Sequence, residues 1–353
     1  MLVLYLGLAV LLLAPRPAPG AVVERCATAA EAFLEALDDD QRDRATWPFD
    51  GPARREWTYV TGSRTRKQGL AIGEMSDRQK VLAHRLMACG LSSRGYQKSA
   101  GIMRMDDLVR ENIGNIVFKA TGPIEIGKDF YWLAVFGESG SGGPWGWQVE
   151  GHHLALNFTV VDDSISVTPA FMGADPAEVQ TGPLAGWRLL GGEEDIAFTL
   201  MASLTGAQRD RVVLAEEMPR GIFTGPGRAE ALESFSGLSV AAMTAKQRQL
   251  LWLLINEYVQ NVDSVMADQI IADILRHGTD SLYFAWMGPV TYGSAIYYRI
   301  HGPAILIEFD HASNLRSPKL EPDPNHIHTI MRIPGGDFGD DFLRRHYLQS
   351  PDH

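Results

Sequence analysis

The chain has 353 residues, 45% hydrophobic and 21% charged, which is enough for one large domain or two ordinary ones around a real core. Wholesale disorder and a disulfide-dense mini-scaffold are excluded. With 32 Lys and Arg against 43 Asp and Glu the net charge is -11, and no long basic run occurs, so the footprint that nucleic acid or an anionic membrane needs is missing.

Residues 1–20 read as a signal peptide. An apolar run from Leu2 to Ala14 is followed by Pro15, Arg16, Pro17, Ala18, Pro19 and Gly20, a helix-breaking zone of small residues. The expected location is secreted or periplasmic. The run carries no positive n-region, which leaves an uncleaved N-terminal anchor as the alternative, although it is shorter than the roughly 20 residues of a spanning helix. No second such run exists, so no other contact with a membrane is expected. Cys26 can pair within the chain only with Cys89, as one disulfide or as two free buried thiols, and without a Cys-x-x-Cys no thiolate metal site can form.

Ser76 is an N-cap ahead of the amphipathic run Val81, Leu82, Arg85 and Leu86, with Gly90 as its stop. An aromatic strand follows at Tyr131 to Gly137. Next comes a period-two segment with Leu154, Leu156, Phe158 and Val160 on one face and His153, Ala155, Asn157 and Thr159 on the other. The same sequence of features then returns. Leu37-x-x-x-Gln41-Arg42-Asp43-Arg44 recurs as Leu204-x-x-x-Gln208-Arg209-Asp210-Arg211, and Met75-Ser76-x-x-Gln79 as Met243-Thr244-x-x-Gln247. Thr244 caps a run through Leu250, Leu251, Leu254, Ile255, Tyr258 and Val259, with Gly278 as the stop. Tyr131–Gly137 is echoed by Leu282–Gly288, and Trp147–Gly151 by Tyr298–Gly302. Four echoes in one order predict an α+β fold: an internally duplicated helix-then-strand unit, with a mostly antiparallel sheet and packed helices. The halves are 21–190 and 191–353, joined as one pseudo-symmetric domain.

The string Gly143-Pro144-Trp145-Gly146-Trp147-Gln148-Val149-Glu150-Gly151-His152-His153-Leu154, with Asn157-Phe158-Thr159 and Thr168–Ala174, resembles the central signature of the family called domain of unknown function 3500. So do Tyr297-Tyr298-Arg299-Ile300, Gly302-Pro303, Ile307-Glu308-Phe309-Asp310, Asn325-His326-Ile327-His328-Thr329 and Asp337-Phe338-Gly339. The resemblance covers nearly the whole mature chain and implies no particular reaction. The chain departs from the pattern at His301, where Gln is expected, and in a longer His311–Pro324 stretch, so no role is carried over to His301 or His311.

The chemistry is read from residue types. His326-x-His328 on an extended segment puts two imidazoles on one strand face, and the preceding strand adds Glu308 and Asp310 on one of its own faces. At least one of His152 and His153 from the first half is expected to line the same cavity. The candidate ligands are therefore His152, His153, His326, His328 and Asp310, a thiolate-free set that suits a divalent Zn, Fe, Mn or Cu ion. Glu150 and Glu308 are the candidate proton acceptors. Such a site points to a metal-dependent enzyme, hydrolytic or oxidative. The plain alternative is hydrogen-bonded histidines in a noncatalytic protein that binds a small molecule or carbohydrate in a cleft lined by Trp145, Trp147, Tyr297, Tyr298 and Arg299. No Gly-x-Ser-x-Gly elbow, His-Glu-x-x-His, P-loop or dinucleotide fingerprint is present.

Overall fold

The structure is a computed structural model that describes residues 19–60, 68–113, 116–118, 122–124, 126–313 and 321–349. The apolar run read as a signal lies outside these residues, apart from Pro19 and Gly20 in the first turn of α1.

The first half opens with α1 (Pro19–Glu35), α2 (Asp39–Ala45), β1 (Thr46–Trp47), β2 (Leu70–Ala71), α3 (Asp77–Cys89) and α4 (Ser93–Ile113). A hairpin of β3 (Ile116–Phe118) and β4 (Gly122–Ile124) stands apart. Then come β5 (Tyr131–Phe136), β6 (Trp145–Gly151), β7 (Leu154–Val161), β8 (Ser164–Ser166) and β9 (Ala170–Ala174). The chain continues with α5 (Gly191–Ser203), α6 (Gly206–Val212), β10 (Val213–Ala215), β11 (Leu238–Ser239), α7 (Ala245–Val259) and α8 (Ser264–His277). It ends with β12 (Tyr283–Met287), β13 (Tyr297–Gly302), β14 (Ile305–Ser313), β15 (Pro322–Arg332) and α9 (Asp340–Gln349). The fold is α+β.

The helices start where short polar side chains can satisfy orphan backbone donors. Asp38, Ser76, Thr205 and Thr244 each form a capping box with the glutamine three residues on. Those glutamines also meet in pairs. Gln79 Nε2 donates to Gln41 Oε1 at 2.6 Å and to Ala36 O at 2.8 Å, and Gln247 Nε2 donates to Gln208 Oε1 and to Ser203 O, each at 2.9 Å. Gly278 closes α8 rather than the Leu250–Val259 run, because that helix ends at Val259 and a further one intervenes. Cys26 on α1 and Cys89 at the end of α3 are joined in a disulfide with Cα atoms 5.3 Å apart, so the bridged alternative holds. Among the described residues no helix is long and apolar enough to cross a membrane.

One sheet spans both halves in the order β1-β5-β6-β7-β9-β15-β14-β13-β12-β10. It is antiparallel except at its edges, where β1 runs parallel to β5 and β10 parallel to β12. The halves join where β9 pairs with β15, in a register that sets Gly173 opposite His328. Trp147, Phe158, Tyr298, Phe309 and the Leu and Ile residues between them face the helices and form the main core. The polar alternate positions do not look into water. Segments 47–60 and 221–228 and the chain around Phe338 cover them, with apolar clusters at Trp57, Phe171, Ile222 and Ile330 and at Phe49, Phe136, Val161 and Phe342. Polar groups there bond to one another, as in Gln148 Nε2 donating to Asn157 Oδ1 at 2.6 Å and Arg54 Nη1 donating to Phe338 O at 2.9 Å.

A candidate metal centre

The β6–β7 hairpin turns on two residues, His152 and His153, and the second lies in the left-handed region at φ 61°. Two backbone bonds hold this turn against the centre of the sheet: His153 N–H donates to Tyr59 O at 3.0 Å, and Gly173 N–H donates to His153 O at 2.7 Å. His153 is thereby carried to β15, where His326 and His328 project two residues apart. Ligand atoms of His153, His326 and His328 all lie within 4.8 Å of one another, and the residues are 3%, 6% and 8% exposed.

Protons on these rings are constrained by their neighbours. His326 Nδ1 lies 3.2 Å from Ser313 O, and since a carbonyl only accepts, that nitrogen carries the hydrogen and Nε2 keeps its lone pair. That Nε2 is 2.9 Å from His153 Nε2. Two nitrogens each about 2.05 Å from one ion would stand about 2.9 Å apart at a right angle and about 3.3 Å apart at the tetrahedral angle. The observed gap fits a shared ion as well as a shared proton. Burial lowers the His326 pKa, and burial together with the neighbouring His326 holds His328 well below the usual imidazole range. Both rings are therefore neutral near pH 7, the form that binds a metal. Gly173 makes the room, since a Cβ there would lie 3.0 Å from His153 Cδ2 and 3.1 Å from His328 Cδ2. This buried group could hold a metal ion.

A family model described as Protein of unknown function (DUF3500) matches residues 19–340. The chain belongs to the DUF3500 family. No curated protein and no solved structure matches it. The DUF3500 match contains all three histidines and every other candidate residue of the site.

Two residues read as ligands stand behind this DUF3500 triad rather than within it. Asp310 pairs in register with His328, and its Oδ1 lies 3.6 Å from His328 Nδ1. Neither carboxylate oxygen has a hydrogen-bond partner, and burial, with Glu308 nearby, pushes its pKa well above the usual range. Asp310 thus lies beside His328 and outside the group of three. His152 stacks on His153 with ring centres 3.8 Å apart, and its Nδ1 lies 2.7 Å from Asp106 Oδ1. The Tyr131 hydroxyl donates to Asp106 Oδ2 at 2.7 Å and also lies 2.5 Å from His152 O, and burial beside Asp106 keeps this phenol protonated. Asp106 escaped the sequence reading. Its only signal is a carboxylate doublet, Asp106-Asp107, on the buried side of α4, where Asp107 is met by Arg104, Arg110 and Lys128.

The candidate bases are elsewhere. Glu308 accepts from Phe223 N at 2.7 Å, Thr224 N at 2.9 Å, the Tyr297 hydroxyl at 2.8 Å and the Thr224 hydroxyl. Four donors fill its lone-pair directions, so it anchors segment 221–224. Glu150, also buried, accepts from Thr58 N at 3.0 Å and ties β6 to the covering segment. The aromatic cleft is likewise corrected. Trp147 stacks on Phe158 at 4.3 Å and Tyr298 on Phe309 at 4.8 Å, inside the core. Tyr297 is spent on Glu308, and Arg299 is buried with its guanidinium 6.0 Å from the Phe223 ring. Trp145 alone reaches a surface groove, of about 550 Å³ between α1 and the glycine-rich loop. His301 and His311 take no part in the triad: His301 packs edge-on to Phe235, and His311 Nδ1 accepts from Ile296 N.

Proposed function

We propose that the protein is an exported metal-dependent enzyme of hydrolytic type, with one divalent ion held by His153, His326 and His328. The observation that carries this reading is the convergence of three buried imidazoles from two distant parts of the chain, with two Nε2 atoms 2.9 Å apart. Neutral ligands leave an ion its full charge, and an ion so held lowers the pKa of a water and polarises a substrate oxygen. An all-imidazole set suits Zn, Fe or Cu, and of these Zn activates water without redox chemistry. Ser313 O fixes the tautomer of His326. Export is supported by the apolar run before Pro19 and by the Cys26–Cys89 bridge, which persists in an oxidising compartment. The paired capping glutamines and a strand order that reads alike from either edge support halves 21–190 and 191–353 as copies fused through β9 and β15.

The test is metal content. Purified protein should carry a divalent ion in stoichiometric amount, and His326→Ala and His328→Ala should each lose it while keeping the native circular dichroism spectrum. Metal-dependent cleavage of chromogenic esters or phosphoesters by the loaded protein would follow. Failure of both variants to change metal content would refute the assignment.

A further inference from the structure

The triad shares a wall with a second set of donors. Asp106, His152 and His153 also bring ligand atoms within 4.8 Å of one another, and His153, with a nitrogen on each side of its ring, belongs to both sets. We propose that this second set holds a second divalent cation, with His153 losing its remaining ring proton to solvent and bridging the two ions as an imidazolate; the proposal rests on the reading that the triad binds the first ion.

Three observations carry it. The set is two imidazoles and one carboxylate, a donor combination that suits Mn, Fe or Zn. Its carboxylate is nearly fully buried on α4 and is aimed by the Tyr131 hydroxyl at 2.7 Å, the kind of outer support that ligating carboxylates have. The Asp106 Oδ1 to His152 Nδ1 distance is 2.7 Å, closed by a shared proton. With bonds of about 2.1 Å an ion replacing that proton would need about 3.0 Å at a right angle, a shift of only a few tenths of an ångström. Charge argues the same way. The triad offers three imidazoles and no carboxylate, and the second set adds the carboxylate of Asp106. Across an imidazole ring the two ions stand too far apart to clamp one reacting group, so the substrate, a phosphoester or an activated carboxyl, meets the more open of them. His152, half-buried where the other ligands are deeply buried, marks the side from which it enters.

The experiment uses the full chain, stripped with a chelator and reloaded with Mn²⁺ or Co²⁺, with metal content read by plasma mass spectrometry and coupling by electron paramagnetic resonance. The wild type should take up two ions per chain with a spin-coupled spectrum. Asp106→Asn should take up one, uncoupled, and Asp106→Glu should restore the second at least in part. One uncoupled ion in the wild type would overturn the proposal and leave Asp106 as a group that orients His152, while the triad reading stands. No ion at all would overturn both. The wild-type count decides even if a variant fails to fold.

Discussion

At the scale of single residues, the site depends on a side chain that is not there. A Cβ on Gly173 would lie 2.8 Å from Ile327 O as well as against both imidazoles. Gly173→Ala should therefore force His153 and His328 apart and weaken metal binding about 10- to 100-fold, the usual cost of disturbing the support of a metal site. Isothermal titration with Zn²⁺ checks this, and unchanged affinity would mean that the rings do not converge on the ion. Glu308→Gln should act oppositely, costing about 2–3 kcal/mol of stability in urea unfolding with metal content intact, because the donors of 221–224 lose a charged acceptor. Loss of the ion at normal stability would return Glu308 to the site. His326-x-His328 was legible because a strand's period of two fixes a common face. The role of Glu308 was not, since the segment that satisfies it lies 84 residues away and no spacing reveals such a partner.

At the scale of elements, the bridge between α1 and α3 closes a 63-residue separation. By the chain-entropy model, replacing Cys26 and Cys89 with Ser should cost about 4 kcal/mol, read as a lower urea midpoint. A change below about 1 kcal/mol would mean that the packing of α1 on α3 suffices alone. N-caps at Ser76 and Thr244 were readable from side-chain chemistry, and the strand faces from alternation. Helix α4 was passed over after the stop at Gly90, and α8 was merged with α7 because the few residues after Val259 carry no proline. The polar strand face misled for a different reason. Alternation shows which side is less apolar, but the sheet is covered on both sides, so Gln148 and Asn157 bond to each other in a buried layer with Arg54 of the covering segment.

At the scale of the whole molecule, acid should loosen the fold through histidines buried as neutral rings. Burial, with Arg299 nearby, lowers His301 to about 4, whereas the unfolded chain takes up that proton near the ordinary value of about 6.5. The unfolded state then binds more protons between those values, so this contribution to stability is complete above about pH 6.5 and is lost as pH falls toward 4. Melting temperature should drop across that window, with His326 and His328 adding in the same direction, and His301→Gln should flatten part of the slope. A flat profile in the wild type would contradict the burial argument. A mostly antiparallel sheet with packed helices was expected from the sequence, and one sheet runs from β1 through β15. The pairing of Gly173 with His328 at the seam could not be expected, because register across 155 residues is set by packing. The central claim is that three imidazoles from both halves meet on one ion. An anomalous-difference map from crystals of Zn²⁺- or Mn²⁺-loaded protein should show a peak about 2.1 Å from nitrogens of His153, His326 and His328; a map with no peak there, and the three rings hydrogen-bonded to protein and water, would contradict it.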